Sequence, residues 1–141
     1  MNKSALLDTG PLVAFLNRND DDHDWAVARF KELEPPFITC EAVLSETIHL
    51  LAGRAIVLEK LEKFLVAGFI RVDFSFADEV VSVTRLMQSY RDVPMSLADA
   101  CLVRLAELHP GMPVFTLDSD FLIYRQHGRQ AIPLILRPRR T

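Results

Sequence analysis

The stretch Leu6-Leu7-Asp8-Thr9-Gly10-Pro11-Leu12 constrains the fold of this chain more than any other. The apolar residues before Asp8 predict a short buried strand over residues 4–8. A Gly-Pro turn then predicts a helix over residues 11–18, because the fixed φ and missing N–H of proline suit a first helical turn. Asp8 therefore stands where a strand ends and a helix begins, which is where open α/β sheets bind ligands. The stretch alone leaves open whether Asp8 caps the helix or binds a ligand.

Strands and helices alternate along the rest of the sequence. Apolar runs predict about five strands, and amphipathic periodicity predicts the helices between them. This alternation favours an α/β fold of three layers, α/β/α, in which a central, mainly parallel sheet carries helices on both faces. We predict strands over residues 4–8, 37–39, 69–72, 114–117 and 132–136, and helices over residues 11–18, 25–33, 41–52, 54–67, 75–90 and 96–109. Pro133 places the last strand at an edge of the sheet.

The composition predicts one globular domain over residues 1–141, since half of the residues are apolar and a quarter are charged. The net charge of −3 argues against nucleic-acid binding through a bulk positive field. It leaves room for a local basic groove or a metal-bridged phosphate contact. Cys40 and Cys101 form no C-x-x-C pair, and we predict that they are small buried side chains in a reducing compartment.

No apolar run approaches the roughly 20 residues that cross a bilayer, and no signal-peptide region precedes the first predicted strand. We therefore expect a cytoplasmic protein that does not interact with membranes.

Three further carboxylates each have two interpretations. Glu46 lies at the border of the apolar stripe of its helix, so it points either into a cleft or into solvent. Asp99 has the spacing of a capping box with Ser96, yet the helix around it is almost free of other charges. A carboxylate at a buried helix N-terminus stays ionised, so it can serve as a cap and as a metal ligand. Asp118 follows the predicted strand over residues 114–117, where it forms an Asx-type turn or joins the edge that carries Asp8.

The predicted sheet brings three of these acids together. Parallel strands end at one edge, and the helices that follow them begin there, so we expect Asp8, Asp99 and Asp118 to lie close to one another. Ionised carboxylates at such distances repel, which favours a bound cation. Oxygen ligands suit Mg²⁺ or Mn²⁺ rather than zinc, and the histidine and cysteine residues have no zinc-ligand spacing.

A carboxylate-held Mg²⁺ at a sheet edge suits the hydrolysis of a phosphodiester bond. The ion neutralises the phosphate, activates a water molecule and stabilises the leaving oxygen. We predict that the three aspartates bind the metal and that Glu46 orients a second ion or the attacking water. Thr9 and Thr116 adjoin the acids and are predicted to hold them by hydrogen bonds.

Two charged segments each have two interpretations. Residues 19–24, Asn-Asp-Asp-Asp-His-Asp, are predicted to form a solvated loop that caps the next helix, with a cation site as the alternative. Arg137, Arg139 and Arg140 make a basic tail, which we predict to be solvated, with contacts to RNA phosphates as the alternative.

At these positions the chain resembles a PIN (PilT N-terminal) domain, and among PIN domains the small VapC-type toxin ribonucleases of bacterial toxin–antitoxin pairs. The resemblance covers essentially the whole chain. No single motif is strongly specific, so it rests on an ordered set of motifs. These are Leu7-Asp8-Thr9-Gly10-Pro11-Leu12, Glu46, Leu97-Ala98-Asp99-Ala100 and Thr116-Leu117-Asp118-Ser119-Asp120-Phe121.

The resemblance implies a PIN fold and a Mg²⁺- or Mn²⁺-dependent endoribonuclease that forms a homodimer and is inhibited by a cognate antitoxin. Asp8, Glu46, Asp99 and Asp118 match the four acids of the family. The last motif also offers Asp120 as an alternate fourth acid. We favour Asp118 because it is nearer the end of the predicted strand.

Other families fit the sequence less well. A haloacid-dehalogenase phosphotransferase needs a second aspartate two residues after Asp8, where this chain has Gly10. A dinucleotide-binding domain needs a glycine-rich first turn, and the lysine of a receiver domain cannot be placed near the last strand. The alternative that we keep is a non-catalytic PIN-like module that binds nucleic acid or protein.

The helices between Glu41 and Ala67 carry more apolar residues than one core face requires. These residues are Leu50, Leu51, Ile56, Val57, Leu58, Leu61 and Leu65. The excess predicts a homodimer, and the same surface could instead dock an antitoxin helix.

Overall fold

A parallel sheet of five strands forms the centre of the protein, whose residues 4–138 are described by a computed structural model. The strands are β1 (Leu6–Leu7), β2 (Phe37–Thr39), β3 (Ile70–Val72), β4 (Val114–Thr116) and β7 (Leu134–Leu136). Two further strands, β5 (Arg125–Gln126) and β6 (Gln130–Ala131), form a separate hairpin between β4 and β7. Their order in the sheet is β3-β2-β1-β4-β7, and every neighbouring pair is parallel. The predicted five-stranded sheet is confirmed, and Pro133 precedes an edge strand as expected.

Each predicted helix is present, with bounds that differ from the prediction by at most two residues. The helices are α1 (Thr9–Leu16), α2 (His23–Glu32), α3 (Glu41–Leu50), α4 (Ala55–Val66), α5 (Phe76–Ser89) and α6 (Leu97–Leu108). α1 begins at Thr9 rather than at Pro11, because the side chain of Asp8 caps it and the proline lies inside the first turn. The helix needs no N–H donor at that position.

Hydrophobic residues fill both faces of the sheet, because side chains along a strand alternate between its two sides. Leu6 and Val114 belong to a core built around α6, whereas Leu7 and Phe115 belong to a second core on the opposite face. Phe30 of α2 packs in the second core, with its ring 4.9 Å from that of Phe115. The predicted three-layer α/β/α architecture is therefore confirmed.

The hairpin of β5 and β6 was not predicted from the sequence. Its strands are two residues long, so they carry no detectable alternation. The chain reverses through His127 and Gly128, whose φ angles of 51° and 81° are left-handed. The hairpin is stabilised from outside, since the backbone N–H of His127 donates to Glu107 of α6 at 2.7 Å.

Several smaller predictions also have an outcome in the structure. Cys40 and Cys101 are both buried, as predicted, and their thiols interact with each other. None of the helices within residues 4–138 combines the length and apolar character that crossing a membrane requires. In the predicted basic tail, Arg137 forms an ion pair with Asp22, and residues 139–141 lie outside the described part of the chain.

Candidate active site

The order of the strands decides where the candidate site lies. β1 and β4 are neighbours at the centre of the sheet, with β2 and β3 on one side and β7 on the other. The chain order therefore reverses between β1 and β4, and ligands bind at the carboxyl ends of strands at such a switch point. Asp8 directly follows β1, and Asp118 lies two residues beyond the end of β4. The topology thus brings both carboxylates to the same place.

Asp8 is a buried carboxylate, only 6% exposed. Its Oδ1 accepts a hydrogen bond of 2.7 Å from the Thr9 N–H, and its Oδ2 accepts one of 2.6 Å from the Thr116 hydroxyl. Burial raises the pKa of Asp8 from 3.8 to about 6, with smaller contributions from the charges of Asp99 and Asp118, although both hydrogen bonds lower it. The surroundings therefore fix the carboxylate in place without compensating its charge.

Asp99 is fixed in the first turn of α6. The predicted capping box is present, with the Asp99 N–H donating to the Ser96 hydroxyl at 3.0 Å and the Ser96 N–H donating to Asp99 Oδ2 at 3.4 Å. The buried hydroxyl of Tyr124 donates to the same Oδ2 at 3.0 Å. Burial raises the pKa of Asp99, and the charge of Asp118 adds to this effect. The cap and its hydrogen bonds leave Asp99 with a charge that is poorly compensated.

Thr116 connects two of the acids through one buried hydroxyl. The hydroxyl donates to Asp8 and accepts a hydrogen bond of 2.9 Å from the backbone N–H of Asp118. Asp118 Oδ1 in turn accepts a hydrogen bond of 2.9 Å from the N–H of Asp120 and caps a short 3-10 helix, Ser119–Leu122. The Asx-type turn is therefore real, and it does not exclude a second role for the other oxygen of Asp118.

The four predicted acids line one open cavity of about 330 Å³. Glu46 reaches it from the middle of α3, and burial, together with the charges of Asp99 and Asp118, raises its pKa. Gly10 forms part of the wall where α1 meets Leu117. A Cβ atom at Gly10 would lie 3.1 Å from the Leu117 Cβ, so a larger residue there would require Leu117 to move by a few tenths of an ångström. Asp118 is among the residues that line the cavity, whereas Asp120 is not.

A model of the PIN domain family matches residues 5–125, which contain all four acids. The chain belongs to the PIN domain family. PIN domains are usually nucleases, which hydrolyse nucleic acids and typically use divalent metal ions. The membership confirms the resemblance found in the sequence, and the closer likeness to VapC-type toxins stays a prediction. A comparison with curated proteins finds no match.

The oxygen atoms around the cavity of this PIN domain are suitable ligands for a hard divalent cation. Its titratable lining residues are all carboxylates, namely Asp8, Asp20, Glu46, Asp99 and Asp118. Carboxylate and hydroxyl oxygens are the ligands that Mg²⁺ and Mn²⁺ prefer. The Thr9 hydroxyl is buried beside them and has no hydrogen-bond partner among the described residues.

The acids surround the cavity rather than forming a closed cage. As they are placed, no three His, Cys, Asp or Glu side chains within residues 4–138 are grouped so as to hold a metal ion. The PIN domain therefore offers an open acidic cavity, in which Asp8 and Asp99 are fixed by hydrogen bonds and Glu46 is exposed.

Sequence reasoning missed two residues of this PIN domain site. Asp20 lines the cavity, and its Oδ1 accepts a hydrogen bond of 2.8 Å from the Asp22 N–H. The acidic run over residues 19–24 was the signal for it, and we interpreted that run as a solvated loop with a cation site as the alternative. Tyr124 hydrogen-bonds Asp99 from a segment with no recognisable motif, so no sequence signal pointed to it.

Proposed function

We propose that this PIN domain is a Mg²⁺- or Mn²⁺-dependent endoribonuclease and the toxin of a toxin–antitoxin pair. The observation that supports the proposal is the convergence of Asp8, Glu46, Asp99 and Asp118 on one cavity at the switch point of the sheet. The raised pKa values of Asp8, Glu46 and Asp99 mean that their negative charges are not compensated by neighbouring groups. A divalent cation compensates such charges. We take residues 1–141 as a single PIN domain.

In the proposed mechanism, Asp8, Asp99 and Asp118 hold the metal. A divalent ion at this position would neutralise the scissile phosphate and activate a water molecule. The hydrogen bonds to Asp8 and Asp99 fix the direction of each carboxylate, which reduces the reorganisation needed on binding. Glu46 has a raised pKa and an exposed side chain, so it is suited to orient the attacking water and accept its proton, or to hold a second ion.

We assign Asp118 rather than Asp120 as the fourth acid. Asp118 lines the cavity, and its backbone N–H donates to the Thr116 hydroxyl, which couples its position to that of Asp8. Thr116 is therefore a positioning residue in the proposal. Thr9 is proposed as a second one, through the bond from its N–H to Asp8.

The first test is cleavage of a structured RNA pool by the purified protein in the presence of Mg²⁺, Mn²⁺ or EDTA. We expect cleavage that needs the metal and is abolished by Asp99→Asn, which retains an acceptor for Tyr124 and Ser96. Asp118→Asn should also abolish cleavage, whereas Asp120→Asn should leave most of it. Full metal-dependent activity in the Asp99→Asn variant would refute the assignment of that residue.

A metal-binding measurement separates the proposal from the non-catalytic alternative. A ligand that binds only the folded state stabilises it and so raises the melting temperature. At a ligand concentration of 100 times its Kd, the free energy of unfolding increases by about 2.7 kcal/mol. Stabilisation by Mn²⁺ without cleavage would indicate a formed site that acts on a narrow set of substrates. If the protein shows neither cleavage nor stabilisation by Mn²⁺, the result favours the non-catalytic module that binds nucleic acid or protein.

The proposed homodimer is supported by the exposed apolar side chains of α3 and α4. Leu50 is 59% exposed, Ile56 is 56% exposed and Leu58 is 43% exposed. Of the seven residues predicted for this surface, Leu51, Val57 and Leu61 are instead buried in the core, so the surface is smaller than expected.

Light scattering tests the proposed assembly. We expect a mass about twice the 16.0 kDa of the chain, and we expect Ile56→Glu to reduce it to that of a monomer. A monomeric mass for the parent protein at micromolar concentration would contradict the dimer. A cytoplasmic location and a cognate antitoxin belong to the same proposal, and a small gene immediately upstream would support the antitoxin. An antitoxin helix docked on this surface is the alternative to the dimer.

A further inference from the structure

Arg137 lies at the same carboxyl edge of the sheet as the acidic cavity, because it directly follows β7, whose Leu136 pairs with Thr116 of β4. Two further cavities, of about 300 and 580 Å³, are each lined by both Arg137 and Leu117. Leu117 also lines the acidic cavity. The three cavities therefore share Leu117 as a lining residue, and Arg137 lines two of them. Arg137 also follows the segment that matches the PIN family, so family membership assigns it no role.

The negative charge of the acidic cavity makes a nearby positive side chain such as Arg137 important for RNA binding. The acidic cavity is lined by five carboxylates, and the chain as a whole carries a net charge of −3. An RNA strand that passes through has a negative charge on each nucleotide, so the phosphates beside the scissile one need a positive partner. Asp21 and Asp22 also line the smaller cavity, whereas Arg137 is the only charged residue among the described residues that line the larger one. The larger cavity is therefore the one that offers a phosphate an uncontested guanidinium.

The contacts of Arg137 are compatible with phosphate binding. Its Nη1 donates to Oδ1 of Asp22 and to the backbone carbonyl of Asp21, the latter at 3.3 Å. The side chains of Arg137 and Asp22 are 26% and 31% exposed, so water screens the ion pair and weakens it. A guanidinium has five N–H donors, which exceeds the number that these two contacts engage. Asp22 therefore orients the arginine and leaves donors for a phosphate.

The larger of the two cavities has room for an unpaired nucleotide. It is lined by Leu122, Leu136 and Pro138 beside Arg137, and Leu122 is 58% exposed. An apolar wall of this kind accepts the face of a base that is not stacked in a duplex. A phosphate on the arginine and a base on the apolar wall are the two parts of a single-stranded nucleotide.

We infer that Arg137 binds a phosphate of single-stranded RNA next to the scissile bond, with Asp22 as its orienting partner and competitor. The inference rests on the proposed function, because it concerns the substrate of the same site. It predicts opposite effects for the two members of one ion pair. Loss of Arg137 removes a phosphate contact, whereas loss of the Asp22 charge releases the arginine to the phosphate.

The test is the affinity for a fluorescein-labelled unstructured RNA oligonucleotide, measured by fluorescence anisotropy with Ca²⁺ in place of Mg²⁺. Four proteins are compared: the parent, Arg137→Gln, Asp22→Asn, and Arg71→Gln as a control. Arg71 is an exposed arginine of β3, the edge strand opposite β7. The salt concentration is varied from about 0.05 to 0.2 M, because the slope of log affinity against log salt counts phosphate contacts.

For Arg137→Gln we expect the slope to become shallower by about 0.7 and the affinity at about 0.1 M salt to fall about fivefold, the effect of one single-strand phosphate contact. Asp22→Asn should bind more tightly than the parent, and Arg71→Gln should match it. Circular dichroism verifies that each variant is folded.

Other outcomes separate the inference from the proposed function. If the parent binds RNA and Arg137→Gln binds with the same affinity and slope, the inference is wrong while the proposed function stands. Equal losses in Arg137→Gln and Asp22→Asn would also overturn it, because a purely structural ion pair predicts that result. If the parent does not bind RNA at all, the proposed function fails and the inference fails with it.

Discussion

Replacing Asp8 by asparagine should make the metal-free protein more stable at neutral pH. Burial raises the pKa of Asp8 from 3.8 to about 6, and this difference corresponds to about 3 kcal/mol of unfavourable free energy for the ionised carboxylate in the folded state. Asparagine carries no charge and removes that cost. Its single amide oxygen can accept from the Thr9 N–H or from the Thr116 hydroxyl but not from both, and the lost hydrogen bond costs about 1 kcal/mol. We therefore expect a net gain of about 2 kcal/mol in the free energy of unfolding.

The pH dependence of the gain follows from the direction of the shift. The folded state of the parent binds its Asp8 proton up to about pH 6, whereas the unfolded chain releases it near 3.8. Between these values the folded state binds more protons, so parent stability falls as pH rises and the full cost is present above about pH 6. Below 3.8 both states are protonated and the cost vanishes. Asp8→Asn lacks this part of the pH dependence.

Urea denaturation in EDTA, followed by circular dichroism at about pH 7.5 and about pH 4.5, measures both effects. From the same pKa shift, the stabilising effect of Asp8→Asn relative to the parent should be about 2 kcal/mol smaller at the lower pH. Asp73→Asn, at an exposed carboxylate, serves as the control and should change little. An Asp8→Asn variant that is no more stable than the parent at pH 7.5, or equally stabilised at both pH values, would refute the reasoning.

Two further predictions concern residues that hold the acids. Tyr124→Phe removes the hydroxyl that donates to Asp99 Oδ2. We expect the Mn²⁺ affinity, measured from the rise in melting temperature, to fall about tenfold while the far-UV circular dichroism spectrum is unchanged. An unaltered affinity would mean that Tyr124 only packs in the core. Thr116→Val leaves the Asp118 N–H and a carboxylate oxygen of Asp8 without this partner, so we expect a loss of about 1–3 kcal/mol in urea denaturation. Thr116→Ser should restore most of it, and a Val variant as stable as the parent would contradict this account.

Much of the architecture could be predicted because it depends on neighbours in sequence. Helix periodicity, the Ser96–Asp99 capping box and the apolar strand runs are local patterns, and each reappears at its expected place. The rule that parallel strands end at one edge was enough to bring Asp8 and Asp118 together. The short hairpin after residue 124 was not predicted, because its two-residue strands depend on a contact with Glu107 that no local pattern reveals.

The sequence by itself determined which elements form and which acids end them, because propensity, periodicity and capping act over a few residues. Only the tertiary structure decided how those acids are surrounded. The hydrogen bond from Thr116 to Asp8 joins residues 108 positions apart, and the Tyr124 hydroxyl reaches the site from a segment without a motif. The physical reason is that strand order and helix packing set such contacts, and the burial that raises the pKa of Asp8 exists only once both cores have closed around the sheet.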